Sequence, residues 1–278
     1  MSKIKKHNKT HAITMQESLE KKFNFQLEEI KREGFTIVEN LISEDTLAEM
    51  RTRIDKIYET QVHEIGGEQN LDLLGDMGFA MSLLSYDSFF LQFVVEKKYT
   101  TFAKHFIGNH FQLFCQNGVI NQPDRTNAQI VNKWHRDFNY LHFTTSQPFG
   151  LNIFYIVDDF TEDNGGTIML PGSHKYSSFP SIKYAEEHKV QIIANAGSAI
   201  IFDPMVFHRS GSNNSNKKRR VMTNIFTHPF MKQQLYLPQH LKDLVGKSEE
   251  KLRILGFGSE TAMSSLEFRN LRLRKINS

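Results

Sequence analysis

The pattern of apolar and polar positions changes character close to residue 110 and again near residue 237. Before the first of these points apolar residues recur at helical spacing; after it they gather in short runs broken by turn residues. Residues 1–14 are polar and basic and read as a flexible arm outside the fold. From Met15 to about Arg32 a helical repeat rich in Glu and Lys predicts a helix that Gly34 ends. Phe35-Thr36-Ile37-Val38 then reads as a strand, and Ser43 is placed to cap a helix running to about Thr60. Residues 62–80 hold several glycines and little periodicity, which predicts a loop. Asp87 is placed to cap a further helix to about Ile107, stopped by Gly108.

The second half predicts strands at 111–121, 129–137, 149–157, 167–170, 190–194, 198–203 and 219–228. Asn164-Gly165 is a hairpin signal, and Pro171-Gly172-Ser173 marks another turn. Many short strands in succession argue for a sandwich or double-sheet jelly roll. The tail from about Leu237 returns to helical spacing. The expectation is a mainly β protein in which residues 15–278 form a single domain. Helices over 15–107 buttress a jelly-roll core over 111–230, and a helical tail spans 237–278.

Composition narrows the class without naming a chemistry. A chain of 278 residues, 39% of them hydrophobic, can bury a substantial core. No apolar run reaches the length of a membrane span, so no membrane partner is expected. The basic start lacks the apolar segment of a secretory signal, and the single cysteine, Cys115, fits a reducing compartment. A cytoplasmic location follows as an expectation. The net charge of +3 is modest, with basic residues at both ends and at Lys217-Lys218-Arg219-Arg220. Without a basic face, stacking residues or a known module, no nucleic-acid partner is expected. Oligomeric state is left open.

Candidate chemistry starts from His135, Asp137 and His208. Side chains two apart on a strand share a face, so His135 and Asp137 can hold one ion together. His208 ends the apolar run that starts at Phe202. Two imidazoles and one carboxylate make a facial triad with open positions, which suits Fe(II) oxygen chemistry. His135-Arg136-Asp137 also invites a protein-kinase reading. That needs an asparagine five residues after the aspartate, where His142 stands, and a glycine-rich loop and a D-F-G segment, both missing. Eleven residues beyond His208 lies Arg219, a candidate clamp for a carboxylate co-substrate, because a guanidinium fork binds carboxylate bidentately. Arg219 and Arg220 face opposite ways on a strand, and parity does not choose between them; a solvated loop with Lys217 and Lys218 is the plainer reading. Ser210 shares a face with His208 if that strand continues.

The segment Phe160 to His174, with Trp134 to Asp137, Gly197 to Phe202, His208 to Gly211 and Arg219-Arg220, resembles the phytanoyl-CoA dioxygenase family. Glu33 to Val38 is a weaker echo, so the likeness runs from about residue 30 to about residue 230. It implies a double-stranded β-helix (jelly-roll, cupin-like) core. It also implies Fe(II) held by His135, Asp137 and His208, with 2-oxoglutarate and O2 as co-substrates. The family's arginine usually stands eleven residues past the distal histidine, which selects Arg219. In ectoine hydroxylases of this family a serine at the spacing of Ser210 helps to hold the 2-oxoglutarate carboxylate. Related halogenases carry a small residue at the Asp137 position, so the aspartate favours oxygen transfer or another oxidation over halogenation. The implied reaction hydroxylates a small-molecule substrate and releases succinate and carbon dioxide, with desaturation, epimerisation or ring closure as alternatives that the sequence does not separate. Two rival readings stand beside it: a redox-inert jelly roll using zinc or manganese for isomerisation or hydrolysis, and a catalytically silent binding protein. Asn117, Asn121 and Asn152 either line the pocket or sit on a wet face. Tyr140, His142 and Phe143 follow the H-x-D motif, where they either contact substrate or, as loop aromatics more often do, pack locally, so none is taken as a site residue. His174 reads as structural, and Trp134 as facing away from the metal.

Overall fold

The computed structural model describes residues 24–123, 133–138, 144–241 and 248–276. The arm 1–14, the first part of the helix predicted from Met15, residues 129–132 of the predicted 129–137 strand, and Tyr140, His142 and Phe143 lie outside the described residues; of 133–137 only His135 pairs, in an isolated bridge to His208.

The chain opens with α1 (Asn24–Glu33), β1 (Phe35–Val38), α2 (Glu44–Glu64), α3 (Glu68–Leu74), β2 (Phe79–Ala80), α4 (Leu83–Tyr86), α5 (Gln92–Val95) and α6 (Lys97–Phe106). The strand-rich part holds β3 (Gln112–Asn121), β4 (Gly150–Ile156), β5 (Ile168–Met169), α7 (Ile182–His188), β6 (Val190–Gln191), β7 (Ala199–Phe202), β8 (His208–Arg209) and β9 (Arg219–Thr227). The tail is α8 (Leu237–Leu241), α9 (Glu249–Ile254) and α10 (Ser265–Ile276). A six-stranded antiparallel sheet, ordered β1-β7-β4-β9-β3-β2, faces a three-stranded sheet ordered β6-β5-β8. This is the expected jelly-roll arrangement, with two sheets that do not close into a barrel.

Period-two alternation assigns each strand of the large sheet two duties. Leu113, Ile153, Tyr155, Ile201, Met222 and Phe226 point to the helices, where they meet Met50, Ile54, Phe90, Phe93 and Phe102. Their strand neighbours Val119, Ile156, Ile200, Phe202 and Val221 point the other way and pack against Phe160, Met169, Ile192 and Val206. The functional residues sit on this second face, between the sheets.

Three expectations need correction. Residues 62–80 are not one loop, since α3 forms between Gly67 and Gly75, and β2 adds an edge strand. Gly75 takes the left-handed conformation that ends a helix (φ 77°), so these glycines are boundaries. Only Leu71 of α3 is buried, and one anchor in seven residues leaves no periodicity to detect. The helix predicted over 87–107 is broken. Asp87 does accept the Phe89 amide, but it caps a 3-10 turn over Ser88–Leu91, and extended Glu96 separates α5 from α6. Gln116 and Asn224 of the sheet donate side-chain hydrogen bonds to the Phe90 and Phe93 carbonyls. Side chains of the sheet thus reach into the broken helix. Lastly, Asn164-Gly165 makes a turn but no hairpin of neighbouring strands, because β4 and β5 belong to different sheets. Among the described residues no helix is long and apolar enough to cross a membrane.

Candidate metal centre

β8 sits at the edge of the small sheet, and His135 extends that edge. Its amide donates to the His208 carbonyl and its carbonyl accepts from the His208 amide, both at 3.0 Å. This paired bridge sets the two imidazoles 4.3 Å apart between ring centres. The Asp137 amide donates to the Pro204 carbonyl (3.0 Å), which turns its carboxylate towards the same point. One ligand atom from each of His135, Asp137 and His208 then lies within 4.8 Å of the others. His208 is buried, and the other two are half-buried.

Hydrogen bonds prepare each donor. A backbone carbonyl only accepts, so His135 Nδ1 donates to Lys133 O (2.7 Å) and His208 Nδ1 to Val206 O (3.0 Å). Each imidazole thereby presents Nε2 to the centre. Asn152 donates from Nδ2 to Asp137 Oδ2 (2.9 Å), and Thr223 donates to Asn152 Oδ1 (2.6 Å). Asp137 Oδ1 is left facing His208 Nε2 at 3.5 Å.

Charge follows this geometry. Burial, with His208 beside it, pulls the His135 pKa down to about 4. Burial also opposes protonation of His208, but Asp137 outweighs it and raises that pKa. Asp137 in turn falls below its ordinary value, since the two histidines and Asn152 overcome its burial. The site therefore attracts positive charge at the point where the three ligand atoms converge.

Arg136, between the first two ligands, points the opposite way. It donates to the carbonyls of Met205 (2.8 Å), Ser173 (3.0 Å) and Tyr176 and stacks over Phe207. The H-x-D segment is thus tied to the turn after β5. Trp134 packs against Phe179 beneath Arg209. His174 stays out of the cluster, its Nε2 against the Lys31 carbonyl.

Arg219 and Arg220 separate cleanly. Arg219 is 2% exposed on the inner face of β9, where Nη2 donates to Gly165 O and Ser210 Oγ, each at 2.7 Å. Its Nε has no partner, and burial pulls its pKa down to about 10. Asp158 attracts it from a distance, but that carboxylate is bound to Arg51 and Arg220. Asn121 also donates to Ser210 Oγ (3.0 Å), so this oxygen accepts twice and keeps its own proton to give. Gly165 (φ 79°) lets the chain come this close, since a Cβ there would stand 2.4 Å from Asn121 Nδ2. Arg220 faces the helices and grips Asp55 twice (2.8 Å) and Asp158 (2.7 Å). The solvated basic loop is thereby corrected: Lys218 also pairs with Asp55 (2.6 Å).

His135, Asp137, His208, Ser210 and Arg219 all line one cavity of about 280 Å³, with Cys115, Asn117 and Thr223 on its walls. The three asparagines are all hydrogen-bonded inside the fold rather than on a wet face. Sequence reasoning missed the supports, Arg136 and Thr223. Their spacing carries no signal, although Asn152 and Thr223 do sit as polar interruptions in apolar strands.

Two antiparallel sheets with imidazoles and a carboxylate converging between them define a jelly-roll protein with a candidate facial-triad centre. The profile of the family described as phytanoyl-CoA dioxygenase matches residues 30–221. The chain belongs to that family of iron- and 2-oxoglutarate-dependent dioxygenases. It is 31% identical over 215 residues to an uncharacterized protein of Mycobacterium tuberculosis, covering 76% of this chain and 78% of the relative. With human peroxisomal phytanoyl-CoA dioxygenase it shares 20% identity over 280 residues, covering 87% and 79% of the two chains. Among solved structures, the non-heme alpha-ketoglutarate-dependent epimerase SnoN superposes with a TM-score of 0.57 at 15% identity. That alignment covers 74% of this chain and 83% of SnoN, and speaks for the fold alone.

Proposed function

We propose that this enzyme hydroxylates a C–H bond of a small molecule, with Fe(II) at His135, Asp137 and His208 and 2-oxoglutarate held by Arg219 and Ser210. The donor set fits the metal: two Nε2 atoms of fixed tautomer and one carboxylate oriented by Asn152. The observation that carries the reading is Arg219. A buried guanidinium with an unsatisfied Nε and no ion pair among the described residues is costly to keep without an anionic guest. Beside it, Ser210 holds a proton ready for a carboxylate oxygen. Zinc-dependent hydrolysis or isomerisation has no use for such a pair.

Bound iron and 2-oxoglutarate would supply the oxidising equivalent, with dioxygen as oxidant and succinate and carbon dioxide as co-products. This chain's residues provide the rest. Arg219 and Ser210 fix the co-substrate's far carboxylate, and Val119, Phe154 and Ile225 help wall the cavity with apolar surface. Asn152 and Thr223 keep Asp137 from rotating.

Anaerobic titration tests this directly. The protein should bind one Fe(II) and develop a weak visible charge-transfer band with 2-oxoglutarate. His135→Ala, Asp137→Ala and His208→Ala should each abolish the band while the circular dichroism stays native. Iron binding that survives all three changes, or full activity of zinc-loaded protein under argon, would sink the assignment.

A further inference from the structure

Among the described residues, every charged group in the cavity wall has a partner or a proposed role except one. Asp137 and the two histidines converge on the metal position, and Arg219 awaits the co-substrate. Arg136 is spent on backbone carbonyls, and Arg209 lies 3.8 Å from Glu186. Asp76 remains. It stands half-buried between α3 and β2, with its backbone fixed by bonds from its amide to Leu71 O (2.8 Å) and from Phe79 N to its carbonyl (3.0 Å). Its carboxylate makes no hydrogen bond and no ion pair among the described residues, and burial alone pushes its pKa up. A partly buried, unpaired charge at a rigid turn is a cost the fold itself does not offset.

A second observation gives that carboxylate a direction. Asp76, Phe79 and Met81 are shared walls of the inner cavity and of an outer groove of about 440 Å³. The outer groove is mostly apolar, lined by Ile65, Leu71, Leu74, Tyr86 and Leu235. Leu74 is 55% exposed and Tyr86 44%, so this groove opens to solvent. The two spaces meet at a lone negative charge.

Resting on the iron assignment above, we propose that Asp76 determines specificity by receiving a protonated amine of the substrate, one apolar arm of which lies in the outer groove while another enters the inner cavity. The carbon to be oxidised then extends past Asp76 towards the triad. An ammonium restores the partner that the carboxylate lacks, through a charge-assisted hydrogen bond in a half-dry setting. An anionic substrate would meet repulsion at the same point, and a neutral alcohol would gain less. The substrate class is thus a hydrophobic amine.

The experiment compares three probes of one chain length, octylamine, 1-octanol and octanoate, by calorimetric titration at pH 7. It uses the full chain, once without metal and once with Fe(II) and 2-oxoglutarate under argon. Octylamine should bind about tenfold or more tighter than the other two. Asp76→Asn should erase that preference while leaving octanol affinity unchanged, and Asp76→Lys should turn it towards octanoate. Leu74→Gln, in the outer groove, should weaken all three. No octylamine binding up to millimolar concentration, or an amine preference that survives Asp76→Asn, overturns the proposal. A parallel titration with 2-oxoglutarate keeps the two assignments apart. Loss of that signal alone would remove the iron reading, while an Asp76-dependent amine preference in metal-free protein would still stand.

Discussion

Replacing Arg219 by alanine separates what the guanidinium does for the fold from what it does for a co-substrate. In the protein alone the change removes two hydrogen bonds, to Gly165 O and Ser210 Oγ, and the packing of the guanidinium over Phe160 at 4.7 Å. Leaving the Gly165 carbonyl short of a donor costs about 1–2 kcal/mol. Deleting a buried cation that lacks a counter-charge works in the opposite direction. Net destabilisation should therefore be small, shifting the melting temperature by only a few degrees. Co-substrate binding has no such compensation. Loss of a charge-assisted, forked contact to carboxylate should cost about 2–4 kcal/mol, or roughly thirty- to a thousandfold in 2-oxoglutarate affinity. Arg219→Lys should recover part of this, since an ammonium keeps the charge but not the fork. The assay is anaerobic 2-oxoglutarate titration of the Fe(II) protein, read by its visible band, with a thermal melt in parallel. Fe(II) affinity should stay unchanged. An unaltered dissociation constant for 2-oxoglutarate in folded Arg219→Ala would refute the clamp.

Other outcomes follow from the supports around the site. Asn152→Ala frees Asp137 Oδ2 and strands Thr223, and should weaken Fe(II) binding about tenfold or more, measured by competition with a chelator. Arg220→Ala leaves Asp55 and Asp158 short of their forked cation and should destabilise by about 2–3 kcal/mol in urea unfolding, with 2-oxoglutarate affinity preserved. Asp55→Asn should show a matching pH signature. Burial pushes the Asp55 pKa up, but Arg220 and Lys218 outweigh it and hold the folded value below the ordinary one. Its stabilisation is therefore complete above the unfolded value near about 4 and lost as pH falls through the folded value. The stability gap to wild type should hold between neutral pH and about 5 and close under more acidic conditions. A gap that widens on acidification would contradict the ion pair.

How much of this could be read from the residues depends on the range over which each signal acts. The strands β3, β4, β7 and β9 were legible because strands buried on both faces read as short apolar runs bounded by turn residues. The triad was legible because ligand chemistry restricts residue type, so His135, Asp137 and His208 stand out even far apart. The choice of Arg219 over Arg220 was not legible from strand parity. Both alternatives place a cation on a face, and only the distant Asp55 and Asp158 reveal which face is the scaffold. Residues 62–80 misled for a related reason: glycines that end α3 look the same as glycines within a loop. Arg136 was invisible because its partners are backbone carbonyls, which no sequence pattern records.

The edge position of β2 bears on how such an enzyme can change its diet. Residues 75–81, which carry Asp76, Phe79 and Met81, include the outermost strand of the large sheet, paired to β3 at two ladder positions and tied to α2 through Tyr58 and Gln61. The triad, Arg219 and Asn152 reside on inner strands or on the opposite sheet. On the role proposed for Asp76, exchange of Asp76, Phe79 and Met81 between paralogues, or their randomisation in a library, would alter recognition while sparing the residues proposed to hold iron and 2-oxoglutarate.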